Sequence, residues 1–309
     1  EDIHKILQAI DRQFSVNHDN VEITVEANPD DLTAGYLKNL RASGVNRISL
    51  GIQSFSSQDL DYLERLHEVN NIPSVMNHIS RAGFNTISAD LIYGIPTQTE
   101  QVLYGNIQEL MRYPVDHISA YALTVEPNTI LHWQIKHLRK SAIDEALASS
   151  HFLHVSEHLE DQGFEHYEIS NYALPGKYSR HNINYWYQKP YLGIGPSAHS
   201  YDGCSRQWNI SATGPYIKAV KAGYIPAEKE ILSTEQQFNE FIMLRLRTRR
   251  GIDMQEVARR FGSARHNALR RAFKKLRRPG LITFDKNTIF LTRKGFLYAD
   301  GLAAELFID

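Results

Sequence analysis

The sequence predicts an α/β protein, with a strand–helix array in the first half of the chain and a small winged-helix-like α+β domain at the C-terminus. Three observations carry this. Residues 41–53 (Arg-Ala-Ser-Gly-Val-Asn-Arg-Ile-Ser-Leu-Gly-Ile-Gln) resemble residues 80–92, with Gly44 and Gly83 39 positions apart. Each copy reads as a helix end, a glycine stop and an apolar run, and a weaker third run follows at 117–123. The apolar runs are nearly continuous, as in parallel strands covered on both faces. Finally, charge steps sharply near Ser233: the segment 233–309 has 16 basic and 8 acidic side chains, a net of +8 against −9 for the rest. A step of that size marks a domain boundary.

The elements follow in order. Ile3, Ile6, Leu7 and Ile10 open the chain on a helical period. Strands are predicted over 21–27, 47–53, 86–93 and 117–124, with helices over 32–42, 58–69, 72–81 and 100–112 between them. A helix over 144–162 leads into an aromatic stretch over 172–191. Helices over 235–247, 254–261 and 264–276, a hairpin of 281–284 with 288–291, and a last helix complete the chain. The expected domains are 1–170, a β/α core; 171–232, an aromatic connecting region; and 233–309, the winged-helix-like part. An open doubly wound sheet and a barrel both fit the first part. In either, ligands gather at the C-terminal ends of the strands.

Composition narrows the classes. The chain has 309 residues, a net charge of −1, 42% hydrophobic and 22% charged residues, the profile of a globular protein of about two domains. No apolar run of about 18 residues marks a membrane span, and no signal peptide is visible, so the expected location is the cytoplasm. Cys204 is the single cysteine, so this chain alone supplies neither an internal disulfide nor an all-cysteine metal site. The chain opens without an initiator Met directly on helical pattern, and reads as a piece that begins inside a fold.

Polar residues stand where a core strand has no structural need of them. Glu26 ends the first strand, Gln53 ends the second and Asp90 lies within the third; Arg65, expected on the helix after the second strand, supplies a cation. Such groups can satisfy one another and cap helices. Three strand ends each presenting a polar side chain exceed what a plain core needs, and point to a ligand site.

The motifs Glu26-Ala-Asn-Pro-Asp30, Ser49-Leu-Gly-Ile-Gln-Ser-Phe55, Leu63-Glu-Arg-Leu-His67 and Asp90-Leu-Ile-Tyr-Gly-Ile-Pro-Thr-Gln-Thr99 resemble the radical S-adenosylmethionine (SAM) enzymes related to oxygen-independent coproporphyrinogen III oxidase. Arg180-His-Asn-Ile-Asn-Tyr-Trp186 resembles the HNxxYW haem-binding motif of the haem chaperone (HemW-type) branch, as does Gly193-Ile-Gly-Pro-Ser-Ala-His-Ser200. The resemblance implies a partial (β/α)6 barrel with SAM across the strand tops, held by Glu26, Gln53, Arg65 and Asp90. It implies haem near His181, Asn182, Tyr185 and Trp186, with His181 a candidate iron ligand. It also implies delivery of haem to apo-haemoproteins. The family's CxxxCxxC motif for a [4Fe–4S] cluster and its GGGTP-type segment do not occur here. At about 30 residues per unit, roughly 60 residues would precede Glu1 in a complete barrel. The cluster and the reductive cleavage of SAM are therefore expected only in such a longer protein.

Three other readings stand beside this one. Coproporphyrinogen III dehydrogenation is the alternative within the family, and the HNxxYW motif argues against it. His151, His154 and His158 share one face of a helix, an array able to bind zinc or to form a solvated surface. Arg265, Arg270, Arg271, Lys274, Lys275, Arg277 and Arg278 on the third winged helix invite a nucleic-acid reading. A basic helix equally attracts propionates or an acidic partner, and no nucleic acid is expected.

Overall fold

The computed structural model describes residues 2–276 and 278–308; Arg277 of the basic helix lies outside them. The chain gathers into two compact units that divide between Ser179 and Arg180.

The first unit opens on α1 (Asp2–Gln13), an amphipathic helix with no buried residue. It continues with β1 (Thr24–Ala27), α2 (Ala34–Ala42), β2 (Arg47–Gln53), α3 (Ser57–Tyr62), α4 (Ile72–Ala82), β3 (Thr86–Tyr93), α5 (Glu100–Leu110) and β4 (His117–Ala122). Then come α6 (Ile130–Lys136), α7 (Glu145–Asp161), β5 (Glu165–Glu168) and β6 (Asn171–Ala173). The sheet order is β1-β2-β3-β4-β6-β5, parallel from β1 to β4, with β6 antiparallel to β4 and β5 antiparallel to β6. The expected parallel array therefore stops at β4. Helices begin where a hydroxyl or carboxylate accepts a first-turn N–H: Thr33, Ser56, Thr99 and Asp144 cap α2, α3, α5 and α7. Gly83 ends α4 in the left-handed conformation (φ 75°), which costs a glycine little.

The strands alternate, which corrects the reading of continuously apolar runs. In β2, Ile48, Leu50 and Ile52 are fully buried while Arg47, Ser49 and Gly51 take the other face. In β3, Ile87, Ala89 and Leu91 oppose Ser88 and Asp90; in β4, Ile118 and Ala120 oppose His117 and Ser119. The register aligns Glu26 with Ser49, Ser49 with Ser88, Gly51 with Asp90 and Asp90 with Ser119, so one face of the parallel sheet is a polar stripe. The helices cover the apolar face. Tyr93 meets Phe152 of α7 at 6.4 Å between ring centres, and α4 and α5 bury Ile72, Met76, Ile79, Leu103 and Ile107. Each buried Ile or Leu contributes about 1.5–3 kcal/mol, so a one-residue register slip in β2 would lose several times that. The small and polar residues between the apolar ones, Ser49 and Gly51 especially, hid this period in the sequence.

The helix expected over 58–69 is α3 alone. Glu64 takes a positive φ of 55° and the Arg65 N–H returns to the Leu60 carbonyl, which closes the helix end. Arg65 thus lies on an exposed loop, not on a helix. That loop is fastened to the 130–141 segment: Lys140 donates to the Tyr62 carbonyl and to Glu64, Gln134 donates to Glu64, and the Tyr62 hydroxyl donates to the Ser141 carbonyl.

The second unit starts with α8 (Arg180–Trp186), so the HNxxYW residues of the aromatic stretch lie on a helix. It continues with β7 (His199–Tyr201), β8 (Ser205–Asn209), α9 (Thr213–Lys221) and β9 (Ala227–Ile231), which form an antiparallel sheet ordered β7-β8-β9. Then follow α10 (Thr234–Leu246), β10 (Ile252–Asp253), α11 (Met254–Lys275), β11 (Ile282–Asp285), β12 (Thr288–Leu291), α12 (Arg293–Phe296) and α13 (Ala299–Ala304). Ser233 and Gln236 form a capping box at α10. The two helices expected over 254–276 are the halves of α11, broken at Gly262 where φ is 81°. Phe261 at that break meets Phe238 and Phe241 of α10 at 4.9 and 5.3 Å. The sheet β10-β12-β11 completes the winged-helix arrangement. The chain thus forms two compact units where three segments had been expected. Residues 171–173 are a strand of the first sheet, and β7, β8 and β9 group with the second unit. Among the described residues no helix is long and apolar enough to cross a membrane.

One buried carboxylate ties the strand-end loops together. Asp59, fully buried at the start of α3, accepts from Ser54 Oγ at 2.8 Å, Thr97 Oγ1 at 2.8 Å and Gln98 Nε2 at 3.1 Å. Asn106 of α5 donates to Ser54 and accepts the Phe55 N–H. The loops after β2 and β3 are therefore held by one hydrogen-bond network. Each unsatisfied buried donor costs about 1–3 kcal/mol, so Asp59→Ala should destabilise the first unit by about 3 kcal/mol or more. Urea unfolding followed by circular dichroism would measure it. A loss below about 1 kcal/mol would show that the network does not anchor these loops.

Candidate functional site

The polar stripe of the first unit ends in a carboxylate pair. Glu26 and Asp90 fall on the same face through Ser49 and Gly51, and the Glu26 charge bears on Asp90. Asp90 accepts from Ser49 Oγ at 3.1 Å and from Ser119. Burial pushes its carboxyl up to about 6, with Ser119 and Ser49 pulling it down, Glu26 pushing it up and Arg47 pulling it down. Gln53 follows a register shift in β2 and has a positive φ of 67°, a conformation that costs a non-glycine residue about 1–3 kcal/mol. That bend folds its side chain back over Gly51: a Cβ on Gly51 would stand 2.8 Å from Gln53 Nε2. Gly51 therefore leaves the space that Gln53 occupies beside Asp90. Arg65 is exposed on its fastened loop, and among the described residues it makes no hydrogen bond or ion pair to the other three.

Below this pair the stripe is closed by buried groups that the sequence reading missed. Arg47, 3% exposed, reaches Glu22 at 3.9 Å and the Lys177 carbonyl at 3.4 Å. His117 is held neutral by burial, with Arg47 adding to the effect; its Nδ1 lies 2.7 Å from Ser88 Oγ and its Nε2 2.8 Å from the Tyr167 hydroxyl. Only the register brings Arg47, Ser88 and His117 together, so no local motif announced them.

In the second unit a cleft of about 530 Å³ opens between the face of the β7-β8-β9 sheet and the helices α8 and α10. Its walls are aromatic: Tyr185, Tyr191, Tyr201 and Trp208, with the imidazole of His199 on the same sheet face. Tyr185 of α8 joins the HNxxYW helix to this cleft. It packs edge-on against His181 at 4.7 Å and against Tyr191 at 4.6 Å. His181, Asn182 and Trp186 are not among the residues lining the cleft; His199 is. The signal for His199 was Gly193, where a Cβ would stand 2.0 Å from the His199 carbonyl oxygen. A side chain there would push β7 away.

The three helix histidines do not converge. His151 is buried and its Nδ1 accepts the Gly94 N–H at 3.2 Å, His154 Nδ1 lies 3.5 Å from Glu100, and His158 Nδ1 donates to its own helix at the His154 carbonyl. Among the described residues no group of three His, Cys, Asp or Glu side chains could hold a metal ion. On the winged-helix part, Arg265 pairs with Glu235 at 2.7 Å and Arg278 with Glu305 at 3.0 Å, while Arg270, Arg271, Lys274 and Lys275 are exposed.

Residues 1–112 match the Radical SAM superfamily and residues 232–298 the HemN C-terminal domain. The fold is that of coproporphyrinogen III oxidase (HemN) from Escherichia coli, with a TM-score of 0.80 at 21% identity over 99% of this chain and 74% of that one. Fold and domain matches define a radical SAM protein of the coproporphyrinogen oxidase type. Within that class the chain is 32% identical to the heme chaperone HemW of Bacillus subtilis over 96% of this chain and 79% of that protein. It is 31% identical to HemW of Lactococcus lactis over 100% of this chain and 81% of that protein. It is 30% identical to the mitochondrial radical S-adenosyl methionine domain-containing protein 1 of Bos taurus, over 97% and 71% respectively. The chain belongs to the HemW haem chaperone family.

The family implies SAM and a [4Fe–4S] cluster. The residues present fit SAM: two carboxylates on one face accept N–H and O–H donors, and Gln53 lies over a cradle that a Cβ would fill. They do not fit the cluster. Cys204 is the one thiol, on a turn of the second unit, and its hydrogen bond to Asp202 holds it protonated, above the ordinary thiol range.

Two predictions follow from this geometry. The folded chain keeps the Asp90 proton at pH values between about 3.8 and about 6, where the unfolded chain has released it. That site's contribution to stability is therefore fully present below about pH 4 and lost as pH rises through about 6. Asp90→Asn should raise the unfolding midpoint at pH 8 by about 2–4 °C and change little at pH 4, measured by calorimetry at both values. An equal shift at both would mean that Asp90 is not held uncharged by burial. Separately, Gly193→Ala should displace β7 and shift the His199 ring resonances while leaving the first unit's amide spectrum unchanged. Unaltered His199 resonances would contradict the close approach.

Proposed function

We propose that this chain binds haem in the aromatic cleft of its second unit and passes it to apo-haemoproteins; its relatives in Bacillus subtilis and Lactococcus lactis bear the name heme chaperone. The observation that carries the reading is the cleft itself. It is a concave aromatic site of small-molecule size, with Tyr185 of the HNxxYW helix in its wall and imidazoles at His181 and His199 close by. A porphyrin needs flat apolar walls, and its iron takes an imidazole nitrogen as axial ligand. His181, packed against Tyr185 of the cleft wall, is the proposed iron ligand, with Tyr185 lining the haem and Asn182 and Trp186 beside it on α8.

In the first unit Glu26 and Asp90 accept the ribose hydroxyls and amino group of SAM, Gln53 orients it, and Arg65 pairs with its carboxylate. When bound, SAM supplies a sulfonium centre whose reductive cleavage needs an iron–sulfur cluster.

Haem titration of the purified chain should give a saturable Soret band of histidine-ligated iron. His181→Ala should weaken binding about tenfold or more and shift the band, with the fold retained by circular dichroism. Trp186→Ala should weaken binding with less spectral change. A changed spectrum in His199→Ala with none in His181→Ala would move the ligand to His199. No Soret change in the wild-type chain would defeat the haem reading.

A further inference from the structure

The cleft holds more than aromatic walls. In the row of the sheet next to His199 and Trp208, Tyr201, Arg206 and Glu230 stand side by side on the same face. Arg206 reaches across to α10, where its Nη2 lies 2.5 Å from Glu240 Oε1. The guanidinium side chain is 39% exposed and the Glu240 carboxylate 16%. Glu230 and Glu240 both line the cleft. Glu230 accepts from Gln236 Nε2 at 3.3 Å, and Glu240 is the carboxylate paired with Arg206. A structural surface ion pair has no need of a place in the wall of an aromatic cleft, and a half-buried carboxylate there is costly.

We propose that Arg206 and Glu240 form an exchange latch: a carboxylate on the rim of the bound macrocycle displaces Glu240 from Arg206, and Glu240 returns as the ligand leaves. This rests on the haem reading above and names the part of the ligand that is recognised, its propionates. The chemistry is that of the guanidinium fork, which offers a carboxylate paired N–H donors and one favourable charge. Glu240 pairs with that guanidinium through Nη2, so the cation has a partner of its own within the chain. During binding the propionate must compete with an internal carboxylate at very high local concentration, which lowers net affinity. During release Glu240 fills the vacated donors, which lowers the cost of letting go. Burial holds the Glu240 carboxyl above its ordinary range against the pull of Arg206, so its charge is held beside the guanidinium at a cost. No bond is made or broken; two carboxylates trade one set of hydrogen bonds.

The test uses the purified chain with ferric haem and with haem dimethyl ester, whose propionates carry no charge. The wild type should bind the diacid about tenfold more tightly than the ester. Arg206→Gln should erase that difference, and Arg206→Lys should restore part of it. Glu240→Gln should tighten the diacid about tenfold, leave the ester unchanged, and slow transfer of haem to excess apomyoglobin. Circular dichroism establishes that each variant folds, and Glu240→Gln carries the test alone if Arg206→Gln does not. Glu240→Gln without effect on the diacid, or a wild type that binds ester and diacid equally, overturns the latch while the haem reading stands. A wild type that binds neither overturns both.

Discussion

The first unit depends on one constraint: its four parallel strands must be apolar toward the helices and are free to be anything on the other side. Because strand side chains alternate, every apolar residue that holds the sheet against α4, α5 or α7 fixes its neighbours on the opposite face. Ile48, Leu50 and Ile52 are fully buried, and so Arg47, Ser49 and Gly51 have no choice of face. The packing that stabilises the fold also assembles the polar stripe on which Glu26 and Asp90 stand.

Two carboxylates near the strand ends illustrate how burial separates structural from functional groups. Asp59 is saturated by three side-chain donors and faces no open space. Asp90 has two hydroxyl donors and a neighbouring carboxylate, and burial holds its proton on up to about 6. A group with its hydrogen bonds complete fastens loops. A group left short of partners, at a cost to stability, is one that a ligand can complete.

Much of this was legible in the sequence, for reasons that differ by element. The positions of β2 and β3 could be read to the residue because apolar runs between glycine stops have few alternatives. The period within those strands was harder, since glycine and serine neither break an apolar run nor announce a polar face. Arg65 was misplaced because its helix end comes from Glu64 at positive φ, and glutamate carries no such warning. The HNxxYW motif was visible, but its residues turned out to flank the cleft through Tyr185 alone. His199, Arg206 and Glu240 come from β7, β8 and α10, and only the pairing of strands and the packing of a helix bring them together.

Cys204 has a consequence for how the chain meets oxidants. It is the chain's one sulfhydryl, it is exposed, and it sits on the turn between β7 and β8 with Asp202 as its hydrogen-bond partner. That carboxylate keeps it in the protonated form, and oxidants attack thiolates. An activated sulfhydryl at this exposed turn would be oxidised by peroxide or would cross-link copies of the chain. Asp202 thus keeps the chain's one thiol slow to react.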